Sequence, residues 1–259
     1  MRIVVCVKQV YDPKTVKISR SREELDLRDA VKILNPPDKY ALEAALRLRE
    51  AAGGEVIALT VGGPEAEDVA HEAVAIGADK AILLTGEPDS SFQLPASNIV
   101  TLALAAAVGK LGPVDLVLTG QTGLTDGTGS LAPRLAAALD WPVLLDAVRL
   151  TAEVAGLTAL VAAENGGEVA PAPTPAVVAI LPGPERPRYP HPARIANAWN
   201  DGMVEIWTAA DLGLTDLSPD LELGGLILGP ERVRGQVIKG GAQEAAIELA
   251  GILKVKRLG

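Results

Sequence analysis

Apolar positions along this chain follow two rhythms, short unbroken runs and longer stretches with one apolar face. RIVVCVK at 2–8, EVIALTV at 55–61, AILLT at 81–85 and VDLVLTG at 114–120 are runs of the first kind. They are rich in β-branched residues and too short for helices, which marks strands buried on both faces of a parallel sheet. LNPPDKYALEAALRLREAAGG is of the second kind, with Leu42, Ala45, Leu46 and Ala52 on one helical face. Asn35 stands at its N-cap, Pro36 at its first position and Asp38 where a capping box places an acid, and Gly53-Gly54 ends it. Further helices are expected from Pro64 to about Ile76, over 95–111, and from the glycine-rich stretch after Gly120 to about Leu139. This alternation predicts an α/β fold, a mostly parallel doubly wound sheet with right-handed crossovers and helices on both faces.

Beyond Pro142 the rhythm changes. VRLTAEVAGLTALVAA reads as a hairpin around Ala155-Gly156, PAVVAIL at 175–181 as a buried strand, and MVEIW at 203–207 as a short strand. EAAIELAGILK reads as a closing helix, and YDPKTVKISRSREELD as a loop or hairpin. The proline-dense PGPERPRYPHPARIANAWN reads as an extended loop before a turn of helix.

Composition narrows the chemistry. A net charge of −9 argues against general nucleic-acid binding, because a phosphate backbone is repelled. No apolar run is long enough to span a bilayer, and the apolar start is interrupted too soon by Lys8 for a signal peptide, so no membrane insertion is expected. The lone cysteine suits a reducing cytoplasm. H-E-x-x-H, paired C-x-x-C and G-x-S-x-G are all missing, which removes the main support for metalloprotease, zinc-ribbon and α/β-hydrolase readings. Cys6, inside an apolar strand, reads as a small buried hydrophobe more readily than as a reactive thiol. His71, mid-helix beside Glu72, reads as a solvated residue, and His191 as a surface contact.

The most informative stretch is VDLVLTGQTGLTDGTGSLAPRL at 114–135. Gly120, Gly123, Gly127 and Gly129 lie between a buried strand and a helix, where backbone N–H groups and the helix dipole suit a phosphate. Thr122, Thr125, Thr128 and Ser130 add hydroxyl donors, and no Walker lysine follows. Gly127, Gly129 and Ala132 match G-x-G-x-x-A, though after the fourth strand instead of the first. The alternative is a surface turn with an N-cap from Asp126 or Thr128. Three other segments should face the same crevice, namely Cys6-Val7-Lys8, Val61-Gly62-Gly63 and Asn35-Pro36-Pro37-Asp38. Asp38 or Asn35 is placed to bond a ribose or base. In the proline-rich loop, Arg186, Arg188 and Arg194 cluster with Tyr189 and Trp199 as candidate interface anchors, the alternative being a rigid solvent loop.

V-C-V-K-Q-V near the start, L-N-P-P-D, A-I-G-A-D, V-D-L-V-L-T-G-Q, L-D-W-P at 139–142, E-N-G-G at 164–167, P-A-V-V at 175–178 and P-R-Y-P at 187–190 occur in that order. Together they resemble the electron-transfer flavoprotein β subunit over most of the chain. The resemblance implies an adenine-nucleotide α-hydrolase-like fold and a heterodimer whose α subunit carries most of the FAD. It also implies an electron carrier without its own bond-breaking catalysis. Such a carrier passes electrons from the acyl-CoA dehydrogenases of fatty acid oxidation and other flavin dehydrogenases to a quinone oxidoreductase or another acceptor. It implies a buried AMP held by Cys6, Asn35, Pro36, Pro37, Asp38, Val61, Gly62, Thr119, Gly120 and the loop through Thr122, Gly123, Thr125, Asp126, Gly127, Thr128, Gly129, Ser130 and Leu131. It further implies a recognition segment containing Arg186, Arg188, Tyr189, Pro192, Arg194 and Ile195. On this reading residues 1–182 are the nucleotide-binding domain with a hairpin insertion at about 146–164, residues 183–200 the recognition loop, and residues 201–259 an extension and helix contacting the α subunit.

Two departures matter. The family's loop usually reads A-I-D-x-D-x-x-Q, and glycine and serine here replace an acid and a glutamine. Pro192 stands where a leucine anchor often lies. The alternatives are an electron-bifurcating flavoprotein with a second FAD in the AMP pocket, or a stand-alone adenine-nucleotide sensor. The sensor's G-x-x-G-x₉-G-[Ser/Thr] pattern, started at Gly120, would need glycine where Pro133 stands. An adenylating enzyme would need an S-G-G-x-D loop, which is missing.

Overall fold

The computed structural model describes residues 1–19, 24–86, 97–124, 127–154, 156–164, 166–200, 202–214 and 235–255. The apolar runs become β1 (Arg2–Cys6), β6 (Glu55–Val61), β7 (Lys80–Thr85), β8 (Leu116–Gly120) and β12 (Ala176–Ile180). The amphipathic stretches become α1 (Pro36–Ala52), α2 (Glu67–Ile76), α3 (Ser97–Leu111) and α4 (Leu131–Leu139). The polar excursion after β1 folds as four short strands, β2 (Gln9–Tyr11), β3 (Lys17–Ser19), β4 (Glu24–Asp26) and β5 (Lys32–Leu34), in two antiparallel pairs, β2 with β5 and β3 with β4.

Later in the chain come β9 (Val143–Glu153), β10 (Gly156–Ala163), β11 (Gly166–Ala172), α5 (Pro192–Ala198), β13 (Val204–Thr208) and α6 (Ala242–Val255). Among the described residues, nine strands form one sheet in the order β11-β10-β9-β12-β8-β1-β6-β7-β13. From β9 through β12 to β13 every pairing is parallel, and only the pairings of β10, with β9 on one side and β11 on the other, are antiparallel. The fold is therefore α/β with a large, mostly parallel sheet.

The parallel strands alternate sides. Ile3, Val5 and Val7 pack with Leu42, Leu46, Val69 and Val74 of α1 and α2, while Val4 and Cys6 pack with Leu104, Val108 and Leu135 of α3 and α4. β1 is thus covered on both faces, as its unbroken apolar sequence requires.

Several expectations are corrected. The residues from Pro64 to Ala66 form a 3₁₀ turn ahead of α2. The hairpin arm begins at Val143, well before Val148, and gains a third strand in β11. β13 returns to the main sheet beside β7, so the sheet extends past residue 182. His71 is buried instead of solvated, because it lies on the α2 face that packs under α5.

Candidate functional site

The winding sets the location. From β1 the chain goes to β6 and β7 on one side and then crosses back to β8 on the other, so the strand order reverses between β1 and β8. Crossovers leave opposite faces there, and a crevice opens at the carboxyl ends of the two strands. Cys6 and Thr119 are register partners at that point. Burial and the nearby Asp38 charge push the Cys6 thiol far above its ordinary range, so the sulfur is an inert, apolar part of the wall. Thr119 Oγ1 is buried and has no hydrogen-bond partner.

Gly120 lets β8 meet the start of α1. A Cβ at this position would lie 2.7 Å from the Pro37 carbonyl carbon and 2.8 Å from the Asp38 nitrogen. Beside it, Asp38 Oδ2 accepts from the Lys8 amide at 3.0 Å, and Oδ1 accepts from Asn35 Nδ2 at 2.9 Å. Burial pushes the Asp38 carboxyl up to about 7, against the pull of the Asn35 amide, the Lys8 charge and amide, and the Gly120 amide. The sequence places Asn35 as a helix cap and Asp38 in a capping box, but the Asn35 side chain makes no cap bond to α1. It donates to the Thr122 carbonyl at 3.0 Å and accepts from the Leu124 amide at 3.2 Å, and it is fully buried.

The glycine-rich loop follows. The Gly127 amide donates to the Gly123 carbonyl at 2.9 Å. Gly127 and Gly129 both lie in the left-handed region, at φ 57° and 61°. Thr128 Oγ1 and Ser130 Oγ are 3.0 Å apart, and α4 begins at Leu131 with no side-chain cap on its first amides. Thr125 and Asp126 lie outside the described residues. Val61 ends β6 on the far side of β1 from β8, and the amide of Gly62, which follows it, donates to the Leu84 carbonyl at 3.1 Å. The structure thus gathers Cys6, Asn35–Asp38, Thr119–Thr122 and the start of the glycine loop around β1 and β8, with Val61 and Gly62 one strand away. Sequence reading missed the partner of Gln121. Gln121 Nε2 donates to Asp146 Oδ1, and Asp146 sits on β9 with a positive φ of 58° that nothing in the local sequence signals.

Glycine at 120 and 129, hydroxyls at Thr122, Thr128 and Ser130, and an uncapped helix start compose a site suited to an anionic group. Among the described residues no group of His, Cys, Asp and Glu is placed to hold a metal ion, and no helix is long and apolar enough to cross a membrane.

The proline-rich segment divides. Arg188 turns inward onto α1, where its Nε lies 2.8 Å from Glu43 Oε2 and its Nη1 binds Glu50. Burial works against the Glu43 carboxylate, yet bonds from Arg188 and Arg47 hold it below its ordinary range. Arg186, Tyr189, Pro192, Arg194 and Ile195 face solvent. Trp199 stacks on His71 with ring centroids 3.8 Å apart, and His71 Nδ1 bonds the Ala198 carbonyl at 2.7 Å. His191 caps α5, accepting from the Ala193 amide.

Comparison with known proteins fits this architecture. The model of the electron transfer flavoprotein domain matches residues 25–212. An electron transfer flavoprotein subunit beta of Thermoanaerobacterium thermosaccharolyticum is 35% identical over 82% of this chain and 80% of its own length. The protein of that name from Bacillus subtilis is 32% identical over 98% of both chains. The caffeyl-CoA reductase-Etf complex subunit CarD of Acetobacterium woodii is 34% identical over 83% of this chain and 81% of its own. With its doubly wound sheet, its reversal at β1 and β8, and these relatives across most of its length, the chain belongs to the electron transfer flavoprotein family, on the beta-subunit side.

Proposed function

We propose that this chain is the β subunit of a cytoplasmic, heterodimeric electron-transfer flavoprotein that holds AMP in the crevice between β1 and β8. It supports an FAD held mainly by the α subunit, which supplies the redox chemistry when bound. The pair passes electrons from acyl-CoA and other flavin dehydrogenases to a quinone oxidoreductase or another acceptor. The observation that carries the reading is the glycine-rich loop placed at the strand-order reversal, with Gly120 packed against the start of α1 and the first amides of α4 left without a side-chain cap. Gly123, Gly127, Gly129, Ser130 and Leu131 would hold the phosphate through backbone and hydroxyl groups, and Cys6, Thr119 and Gly120 would line the base and ribose. The exposed Arg186, Tyr189, Pro192, Arg194 and Ile195 would meet the dehydrogenase. The relative named as part of a caffeyl-CoA reductase-Etf complex supports a partner that acts on CoA thioesters.

The test is to co-express the chain with its α subunit, purify the complex, denature it and identify the released nucleotides by chromatography. One AMP and one FAD per heterodimer is the expected result. Two FAD would place a second flavin in the crevice and indicate an electron-bifurcating carrier. A stable monomer binding ATP without flavin would overturn the proposal.

A further inference from the structure

Asn35 stands beside the crevice in a position that invites a role as a ligand contact, but its bonds point elsewhere. Its side-chain amide offers two N–H donors and one carbonyl acceptor. Both donors are engaged, one by Asp38 Oδ1 at 2.9 Å and one by the Thr122 carbonyl at 3.0 Å. The carbonyl receives the Leu124 amide at 3.2 Å. No part of the residue reaches solvent. Its main chain is equally committed, donating to the Lys8 carbonyl at 2.9 Å and accepting from the Asp38 amide at 3.0 Å. One residue therefore ties together the exit of β1, the first turn of α1 and the opening of the glycine loop.

Resting on the nucleotide reading above, we propose that Asn35 is a positioning residue that clamps residues 122–124 in their binding form and makes no bond to the nucleotide. Asp38 orients the clamp. Its Oδ1 holds the Asn35 amide while its Oδ2 holds the Lys8 amide at 3.0 Å, so the Asn35 side chain has one direction in which to meet Thr122 and Leu124. Gly120 makes the arrangement possible, since any side chain there would force α1 away from β8 and carry Asn35 away from the loop.

The consequence is quantitative. Without the clamp the loop samples other conformations, and apparent affinity falls by the fraction of molecules that keep the binding form. Two hydrogen bonds to the loop correspond to a loss of about tenfold to thirtyfold. A direct contact and a clamp predict different patterns. A contact discriminates between nucleotides that carry or lack the bonded group, whereas a clamp weakens all of them by one factor.

The experiment uses the full chain in complex with its α subunit, stripped of nucleotide and titrated calorimetrically with AMP, 2′-deoxy-AMP and inosine monophosphate. Asn35→Ala should weaken all three by the same factor and speed hydrogen exchange at the Leu124 amide. Should that variant fail to fold, Leu124→Pro removes the loop's own N–H from the clamp and should give a smaller but equally uniform loss. Loss confined to one of the three nucleotides would make Asn35 a contact and overturn the proposal. Unchanged affinity with unchanged exchange at Leu124 would overturn it too. If the unaltered complex binds none of the three nucleotides, the nucleotide reading itself fails and the clamp's ligand role falls with it.

Discussion

Replacing Arg188 with alanine tests whether this arginine braces its own fold or meets a partner. Its Nε and Nη2 lie 2.8 and 3.1 Å from the Glu43 carboxylate, and its main-chain amide adds a third bond at 3.1 Å. The Glu43 side chain is 4% exposed against 33% for Arg188, so the carboxylate is the deeper member of the pair. Charge-assisted bonds of this kind are worth about 1.5–3 kcal/mol, and solvent at the arginine side trims the total. Arg47, 2.8 Å from Glu43, stays behind to compensate in part. A net loss of about 2 kcal/mol is expected, which at a urea slope of about 3 kcal/mol/M lowers the midpoint by about 0.7 M. Arg188→Lys should recover less than half, because a point charge cannot replace a planar fork. Once Arg188 is gone, Glu43→Gln should cost much less than it does alone. A midpoint within about 0.1 M of the unaltered chain, together with lost affinity for a dehydrogenase, would refute the brace and make Arg188 a partner contact.

Three further outcomes follow from the crevice. Gly120→Ala presses a methyl group into the Pro37 and Asp38 backbone and should cost about 1–3 kcal/mol, read as a lower thermal midpoint, whereas an unchanged midpoint would mean α1 yields freely. Cys6 should resist iodoacetamide at pH 8 in the folded chain and react at once in urea, and rapid labelling of the native chain would contradict its burial. Asp38 is pushed up to about 7 from 3.8, so the unfolded chain ionises first and folding stability falls as pH rises from about 4 through 7, by on the order of 4 kcal/mol. Asp38→Asn should lack that slope, and parallel pH profiles of urea midpoints for the two chains would refute it.

The strands and helices that hold the core were legible because burial on both faces leaves an unbroken apolar run, as in EVIALTV, and burial on one face leaves a helical stripe, as in α1. β11 was not. GGEVAPA has little strand propensity of its own and exists as a strand through its pairing with β10 from Leu157 to Ala163. Position along the chain also misled at Asn35, where N-P-P-D satisfies every local rule for a cap. Bonds to Thr122 and Leu124, nearly ninety residues away, decide what the side chain does. His71 failed for a similar reason, since the ring that covers it belongs to Trp199 on a separate segment. The glycine loop was visible from its composition and its place after a buried strand. The partner of Gln121 was hidden, because Asp146 lies on a strand whose sequence gives no sign of a positive φ.

The closing helix α6 buries none of its residues within this chain, and Ile247, Leu253 and Val255 stand open to water. This chain by itself therefore displays on α6 an apolar surface of the sort that proteases and chaperones engage.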